Sequence, residues 1–134
     1  MYCDERGILA DGGNQEIPVW IMTPAIILVE PQMGENIGAA ARAMENFGLS
    51  DLRIVNPRDG WPNEKAYAVA ASATRILDNA ILFTHTNDAV ADLHKLIATT
   101  GYTRKMMKPV VTPKEVASLS VQSSTQGIRI GILF

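Results

Sequence analysis

The chain has 134 residues, about one domain at the usual ~100–200 residues per domain. Apolar residues make up 47% and charged residues 19%, a globular balance that excludes a mainly disordered chain and needs no disulfide or metal staple. Twelve Lys+Arg against fourteen Asp+Glu give a net charge of −2, which excludes a basic body that coats nucleic acid but leaves room for a local basic patch. The single cysteine, Cys3, rules out a disulfide within the chain and fits a reducing compartment. No apolar run approaches the ~20 residues of a membrane span, and no charged-then-apolar signal peptide opens the chain. These features predict a cytoplasmic, water-soluble domain.

Residues 1–23 hold the polar stretch Asp11-Gly12-Gly13-Asn14-Gln15 and no sustained period, which predicts an irregular leader. Within it Val19-Trp20-Ile21-Met22 is a short apolar segment that could dock as an edge. The domain proper spans 24–134. Ala25-Ile26-Ile27-Leu28-Val29 is a continuous apolar run, the pattern of a strand covered on both faces. Asn36 offers an N-cap, and Ile37, Ala40, Ala41, Met44 and Phe47 share one helical stripe that Gly48 is placed to stop. A second strand follows over Leu52-Arg53-Ile54-Val55-Asn56, and a helix is predicted from Glu64 to about Ala73. Ala80–Phe83 reads as a short strand, Asn87 as the cap of a helix through Leu93, and Lys95–Thr99 as another strand. Thr112-Pro113-Lys114-Glu115 has the form of a capping box with proline at the first helical position. Ile128–Phe134 is the fifth strand. Strands alternating with helices predict an α/β fold: a mainly parallel sheet of about five strands with helices on both faces. The chain stops on an apolar strand, where a ligand-bearing loop and a covering helix are expected to follow, so a truncated chain or an interrupted reading frame is the expectation.

The segment from Val29 to Met44 is the most informative. It carries a strand-to-helix loop, an Asn at the expected cap and an Arg on a helix of small residues. Asn36 and Arg42 are separated by ~600° of helical rotation and about 9 Å of rise, so the pair can face one crevice beside an anion-friendly helix N-terminus. From spacing alone the ordinary reading, a capped helix with a solvated Arg, is favoured. Among other candidates, Arg104, Lys105 and Lys108 form a small basic loop that either faces RNA or is merely solvated. His85 and His94 lack any accompanying metal-ligand pattern, so no metal site is expected. Cys3 reads as incidental. Trp61 and Tyr102 could stack on bases, although Trp61 after Asp59-Gly60 more often anchors a loop.

The motif Asn36-x-Gly38-x-x-x-Arg42, set in ILVEPQMGENIGAAARAMENFGLSDLRIVNP, resembles the first motif of the SpoU (TrmH-like) branch of the SPOUT RNA ribose methyltransferases. The order of Gly48-Leu49 and the strand ending Val55-Asn56-Pro57 is similar too. Ala98-Thr99-Thr100-Gly101-Tyr102-Thr103-Arg104 resembles a loop that touches the methyl donor in the TrmJ-type tRNA methyltransferases. The likeness covers about Pro24 to Phe134. It implies a Rossmann-like half of a SPOUT (α/β-knot) domain and transfer of a methyl group from S-adenosylmethionine to a ribose 2′-hydroxyl of RNA by a homodimer. The tRNA anticodon loop is the expected substrate, with rRNA the runner-up. The resemblance assigns Arg42 and Asn36 to catalysis and Thr99, Thr100 and Gly101 to the methyl donor. It places Glu30, Arg42, Arg104 and Lys105 against RNA.

Those residue types suit that chemistry. A 2′-hydroxyl is a poor nucleophile, and a fixed cation favours its alkoxide-like transition state. A guanidinium does this while gripping phosphate in two prongs. The family's later Gly-x-Glu-x-x-Gly-Leu loop and Ser-Leu-Asn segment are absent here, so the resemblance implies an incomplete donor pocket and no knot in this chain. The alternative is a non-enzymatic nucleotide- or effector-binding α/β module. Against it, no Gly-x-Gly-x-x-Gly or P-loop follows any strand.

Overall fold

The computed structural model describes residues 8–10, 16–18, 23–101 and 108–134. Two three-residue strands, β1 (Ile8–Ala10) and β2 (Glu16–Pro18), pair antiparallel in the segment expected to be irregular. Backbone hydrogen bonds alone make such a pair, and three residues are too few to show a side-chain period. Val19–Met22 lies outside the described residues.

The elements then alternate as β3 (Ala25–Val29), α1 (Gly34–Asn46), β4 (Leu52–Val55), α2 (Glu64–Ala70), α3 (Thr74–Asp78), β5 (Ile81–Phe83), α4 (Thr86–Val90), β6 (Lys95–Ala98), α5 (Pro113–Thr125) and β7 (Ile130–Leu133). The five strands β3–β7 form one parallel sheet in the order β5-β4-β3-β7-β6. The apolar run of β3 is its centre: Ala25 to Leu28 are all buried. Ile26 and Leu28 join Ile54, Ile37, Met44 and Leu77 in the larger core, beneath α1, α2 and α3. Ile27 faces the other way, onto Val55 and Ala89, where α4 covers the sheet. Successive strand side chains point to opposite faces, so an uninterrupted apolar strand has to be roofed twice.

Several boundaries differ from the sequence reading. Helix α1 starts three residues earlier than its apolar stripe, with extended Met33 at the N-cap and Asn36 inside the first turn. Gly34 allows this, because a Cβ there would lie 2.2 Å from Asn63 Oδ1. The stop is as expected. Gly48 (φ +69°) follows Phe47, and the amides of Gly48 and Leu49 donate to the Glu45 and Met44 carbonyls (3.2 and 2.9 Å), a left-handed helix end. The Ala-rich helix expected to reach about Ala73 ends at Ala70, where Ala71 takes a φ of +53°, and a second short helix, α3, which the sequence reading did not include, follows from Thr74. His85, not Asn87, precedes α4, which spans only five residues. At α5 the capping box forms in full: Thr112 Oγ1 accepts from the Glu115 amide (3.3 Å), and Glu115 accepts from the Thr112 amide (2.6 Å).

Candidate active site

The carboxyl ends of all five strands form one hydrogen-bonded row. Asn56 N–H donates to Phe83 O (2.9 Å), Glu30 N–H to Val55 O (2.8 Å), Val29 N–H to Phe134 O (2.9 Å) and Thr99 N–H to Leu133 O (2.9 Å). The chain winds outward from β3 through β4 to β5, crosses to β6 at the far edge, and returns to β7 beside β3. In open parallel sheets ligands bind beyond the strand ends where the winding reverses. Glu30 and Thr99 stand on that edge, two strands apart, or about 10 Å at ~4.8 Å per strand.

Glu30 and Asn56 are the strained pair of this edge. Both follow a strand with left-handed φ angles, +48° and +42°. Asparagine tolerates that region, whereas a glutamate there costs about 1–2 kcal/mol. The neighbours hold Glu30 in place. Its carbonyl accepts from Gln32 Nε2 (2.9 Å), and its Oε1 accepts from Asn56 Nδ2 (3.4 Å). The carboxylate thereby stays at the mouth of the crevice, exposed. Asn56 read as a mere strand end in the sequence; only the pairing of β3 with β4 brings it to Glu30.

Asn36 lies in the first turn of α1 and Arg42 in its third, because the helix begins at Gly34. Arg42 is therefore set back about 12 Å along the axis from the helix start. Asn36, Ala39, Arg42 and Ala43 make one exposed stripe, on the side away from the buried Ile37, Gly38, Ala41 and Met44. Within one chain, then, Asn36 and Arg42 share a surface with small residues between them. Thr99, Thr100 and Gly101 are exposed at the end of β6. Thr99 Oγ1 donates to Leu133 O (3.0 Å), keeping acceptor capacity, and a Cβ on Gly101 would meet none of the described residues within 4 Å. Exposed polar acceptors fit one wall of a site for a polar cofactor. Arg104 and Lys105 lie outside the described residues.

The opposite end of the sheet is charged. Arg53, 5% exposed, donates to Asp51 (3.0 and 2.8 Å), to Asp92 and to the Ala89 carbonyl (2.7 Å), while Arg129 bonds the same two aspartates. The Arg53 guanidinium holds the Asp92 carboxyl below the usual carboxylate range, and Asp92 in turn pushes Arg53 further up. This network ties β4, α4 and β7 together at the amino ends of the strands. A charge within the apolar run Leu52-Arg53-Ile54 is the signal that could have announced it. His94 belongs here as well: its Nδ1 accepts the Arg129 amide (3.0 Å). Among the described residues no group of three or more His, Cys, Asp or Glu is placed to hold a metal.

Comparison with known proteins agrees with this fold. The profile of the SpoU rRNA Methylase family matches residues 23–122. A tRNA (cytidine-2'-O-)-methyltransferase TrmJ from Methanocaldococcus jannaschii is 38% identical over 117 residues, covering 85% of this chain and 49% of that protein. A tRNA (cytidine/uridine-2'-O-)-methyltransferase TrmJ from Sodalis glossinidius is 35% identical over 109 residues, covering 81% and 42%. Among solved structures, the crystal structure of TrmJ from Z. mobilis ZM4 superposes with a TM-score of 0.77 at 53% identity, over 84% of this chain and 49% of that one. The chain thus spans about half the length of the curated relatives it matches. With its profile match over residues 23–122, which is most of its length, the chain belongs to the SpoU rRNA methylase family.

Proposed function

We propose that this chain carries the RNA-facing half of an S-adenosylmethionine-dependent ribose 2′-O-methyltransferase that acts on tRNA, in the anticodon loop, in the cytoplasm and as a homodimer. The observation that carries the reading is the carboxyl edge itself. A tethered carboxylate follows β3, an exposed Thr-Thr-Gly loop follows β6 in the same sheet, and α1, which leaves β3, carries the exposed Asn36–Arg42 stripe, and these support the reading. Among the described residues no helix is long and apolar enough to cross a membrane.

S-adenosylmethionine, when bound, supplies an electrophilic methyl carbon, and Thr99, Thr100 and Gly101 would hold it. The chain's own residues do the rest. Arg42 carries a permanent charge that grips an RNA phosphate and stabilises the negative charge that develops on the 2′-oxygen as its proton passes to a neighbouring phosphate oxygen or water. Asn36, six residues earlier on the same stripe, orients that ribose by hydrogen bonding. The Glu30 carboxylate, an acceptor only, repels phosphate and so contacts a sugar hydroxyl or a base amine. Arg104 and Lys105 add phosphate contacts, which makes RNA affinity fall with salt.

Single-turnover methyl transfer to unmodified tRNA by a protein extended through the rest of the donor pocket, measured beside thermal melting, tests the assignment. Arg42→Ala should lower the rate roughly 10²–10³-fold. Its melting temperature should stay put, because Arg42 is exposed. Arg42→Lys should recover little, since an ammonium lacks the planar two-pronged grip. Full activity in Arg42→Ala removes the residue-level support for the mechanism.

A further inference from the structure

The loop from β4 to α2 leaves the same edge and builds a cleft that the catalytic reading does not use. Pro62, Asn63, Glu64 and Tyr67 line a space of about 390 Å³, mostly apolar in its walls. That volume falls within the ~300–1,000 Å³ of small-ligand sites.

The Tyr67 ring is held on three sides. It rises from α2, its hydroxyl donates to Asp78 Oδ1 (2.9 Å), and Trp61 stacks on it with centroids 6.2 Å apart and planes inclined by 23°. Trp61 and Tyr67 both pack against the larger core, so the aromatic wall is rigid before any ligand arrives. The polar side of the cleft is ready-made too. Asn63 Oδ1 accepts the Lys65 amide (3.0 Å), which leaves its Nδ2 donors for another partner. Among the described residues the Glu64 carboxylate makes no hydrogen bond or ion pair. Asn63 is also the residue against which Gly34 starts α1, so the cleft adjoins the helix that carries Asn36 and Arg42.

A rigid aromatic face next to an acceptor-only carboxylate suits a planar ring that bears an amino group. It does not suit a phosphate, which Glu64 repels. We propose that this cleft is a nucleobase subsite: one unpaired RNA base stacks on Tyr67 and presents an exocyclic amine to Glu64, as cytosine does. The inference rests on the RNA-methyltransferase reading and extends it to base choice at a neighbouring nucleotide. Stacking on an aromatic side chain is how proteins hold splayed single-stranded bases, and a carboxylate accepts from the cytosine amine but not from a uracil carbonyl.

Binding of single-stranded oligoribonucleotides to the full chain, with cytidine or uridine at the variable position, provides the test. Tyr67→Leu should weaken binding about five- to 100-fold, the usual loss for one stacked base. Glu64→Gln should erase the preference for cytidine over uridine while leaving uridine affinity unchanged. Photocrosslinking of the unaltered protein to a 5-iodocytidine oligonucleotide, with peptide mapping, does not depend on variant folding and should label the peptide that contains Tyr67. RNA binding that is unchanged in both variants, or crosslinks confined to other peptides, overturns the subsite while the Arg42 test still stands. Absence of any RNA binding overturns both.

Discussion

Gly38 lies in the middle of α1, where glycine ordinarily weakens a helix by about 0.8–1 kcal/mol relative to alanine. Gly38→Ala should nonetheless destabilise this protein. A Cβ at that position would sit 2.1 Å from the Ala66 carbonyl oxygen, 3.0 Å from its carbon and 3.1 Å from its Cα, all of them backbone of α2. No rotamer change relieves such a clash. The two helices must part by about 1 Å, and Ala66, Ala70 and Ala41, all 0% exposed, lose their contacts. Overpacking of this kind costs ~2–3 kcal/mol, and the helix-propensity gain returns about 1 kcal/mol, leaving a net loss of ~1–2 kcal/mol. Urea unfolding with m near ~2 kcal/mol/M should show a midpoint lowered by about 0.5–1 M. Ala39→Gly, on the exposed stripe of the same helix, should cost about 1 kcal/mol through propensity alone and supplies the comparison. A Gly38→Ala midpoint equal to or above that of the unaltered protein would refute the close-packing argument.

Asp92→Asn should destabilise by ~1–3 kcal/mol at neutral pH; breaking a fully buried pair costs more, but Asp51 still faces Arg53 and the Asp92 side chain is 44% exposed. Because Arg53 lowers the folded-state pKa of Asp92, that stability is present above the ordinary carboxylate pKa and is lost as pH falls through the folded value. Thermal melts of protein and variant should therefore converge in acid, and a gap independent of pH would contradict the ionic account. Glu115 is likewise held below its ordinary value, chiefly by the Thr112 amide, so the first turn of α5 should fray as its carboxyl protonates. Hydrogen exchange at the Glu115 and Val116 amides should quicken in Thr112→Ala at neutral pH, and unchanged exchange would show that the cap is idle. Asn56→Gly should keep stability, since glycine accepts φ +42°, yet release the Glu30 side chain. Asn56→Val should melt lower by an amount corresponding to about 1–2 kcal/mol, and equal melting of the two would dispose of the strain argument.

The sheet was legible because its signal is local and redundant. Ala25–Val29, Leu52–Val55 and Ile130–Leu133 are apolar runs bounded by breakers, and capping at Thr112 and the stop at Gly48 depend on neighbours a few residues away. The motif from Glu30 to Arg42 was legible for the same reason, as a contiguous string. Helix starts were less so. Asn36 has the chemistry of a cap, yet α1 begins at Gly34 because Asn63, twenty-nine positions on, packs against it. Likewise nothing near Ala71 announces the positive φ that ends α2 there, and α3 follows beyond the Ala-rich stretch.

By itself, then, the sequence determined the parallel α/β class, the covering of β3 on both faces and the motif string, since each is written in residues adjacent along the chain. Only the tertiary structure decided the order β5-β4-β3-β7-β6, and with it which strand ends share a crevice. That order brings Asn56 to Glu30, Thr99 to the end of β7, and Asp92 and Arg129 to Arg53. Hydrogen bonds between side chains act over about 3 Å while their partners lie from 26 to 39 residues apart in sequence. No local pattern encodes such a meeting, because it depends on how the whole chain crosses the sheet.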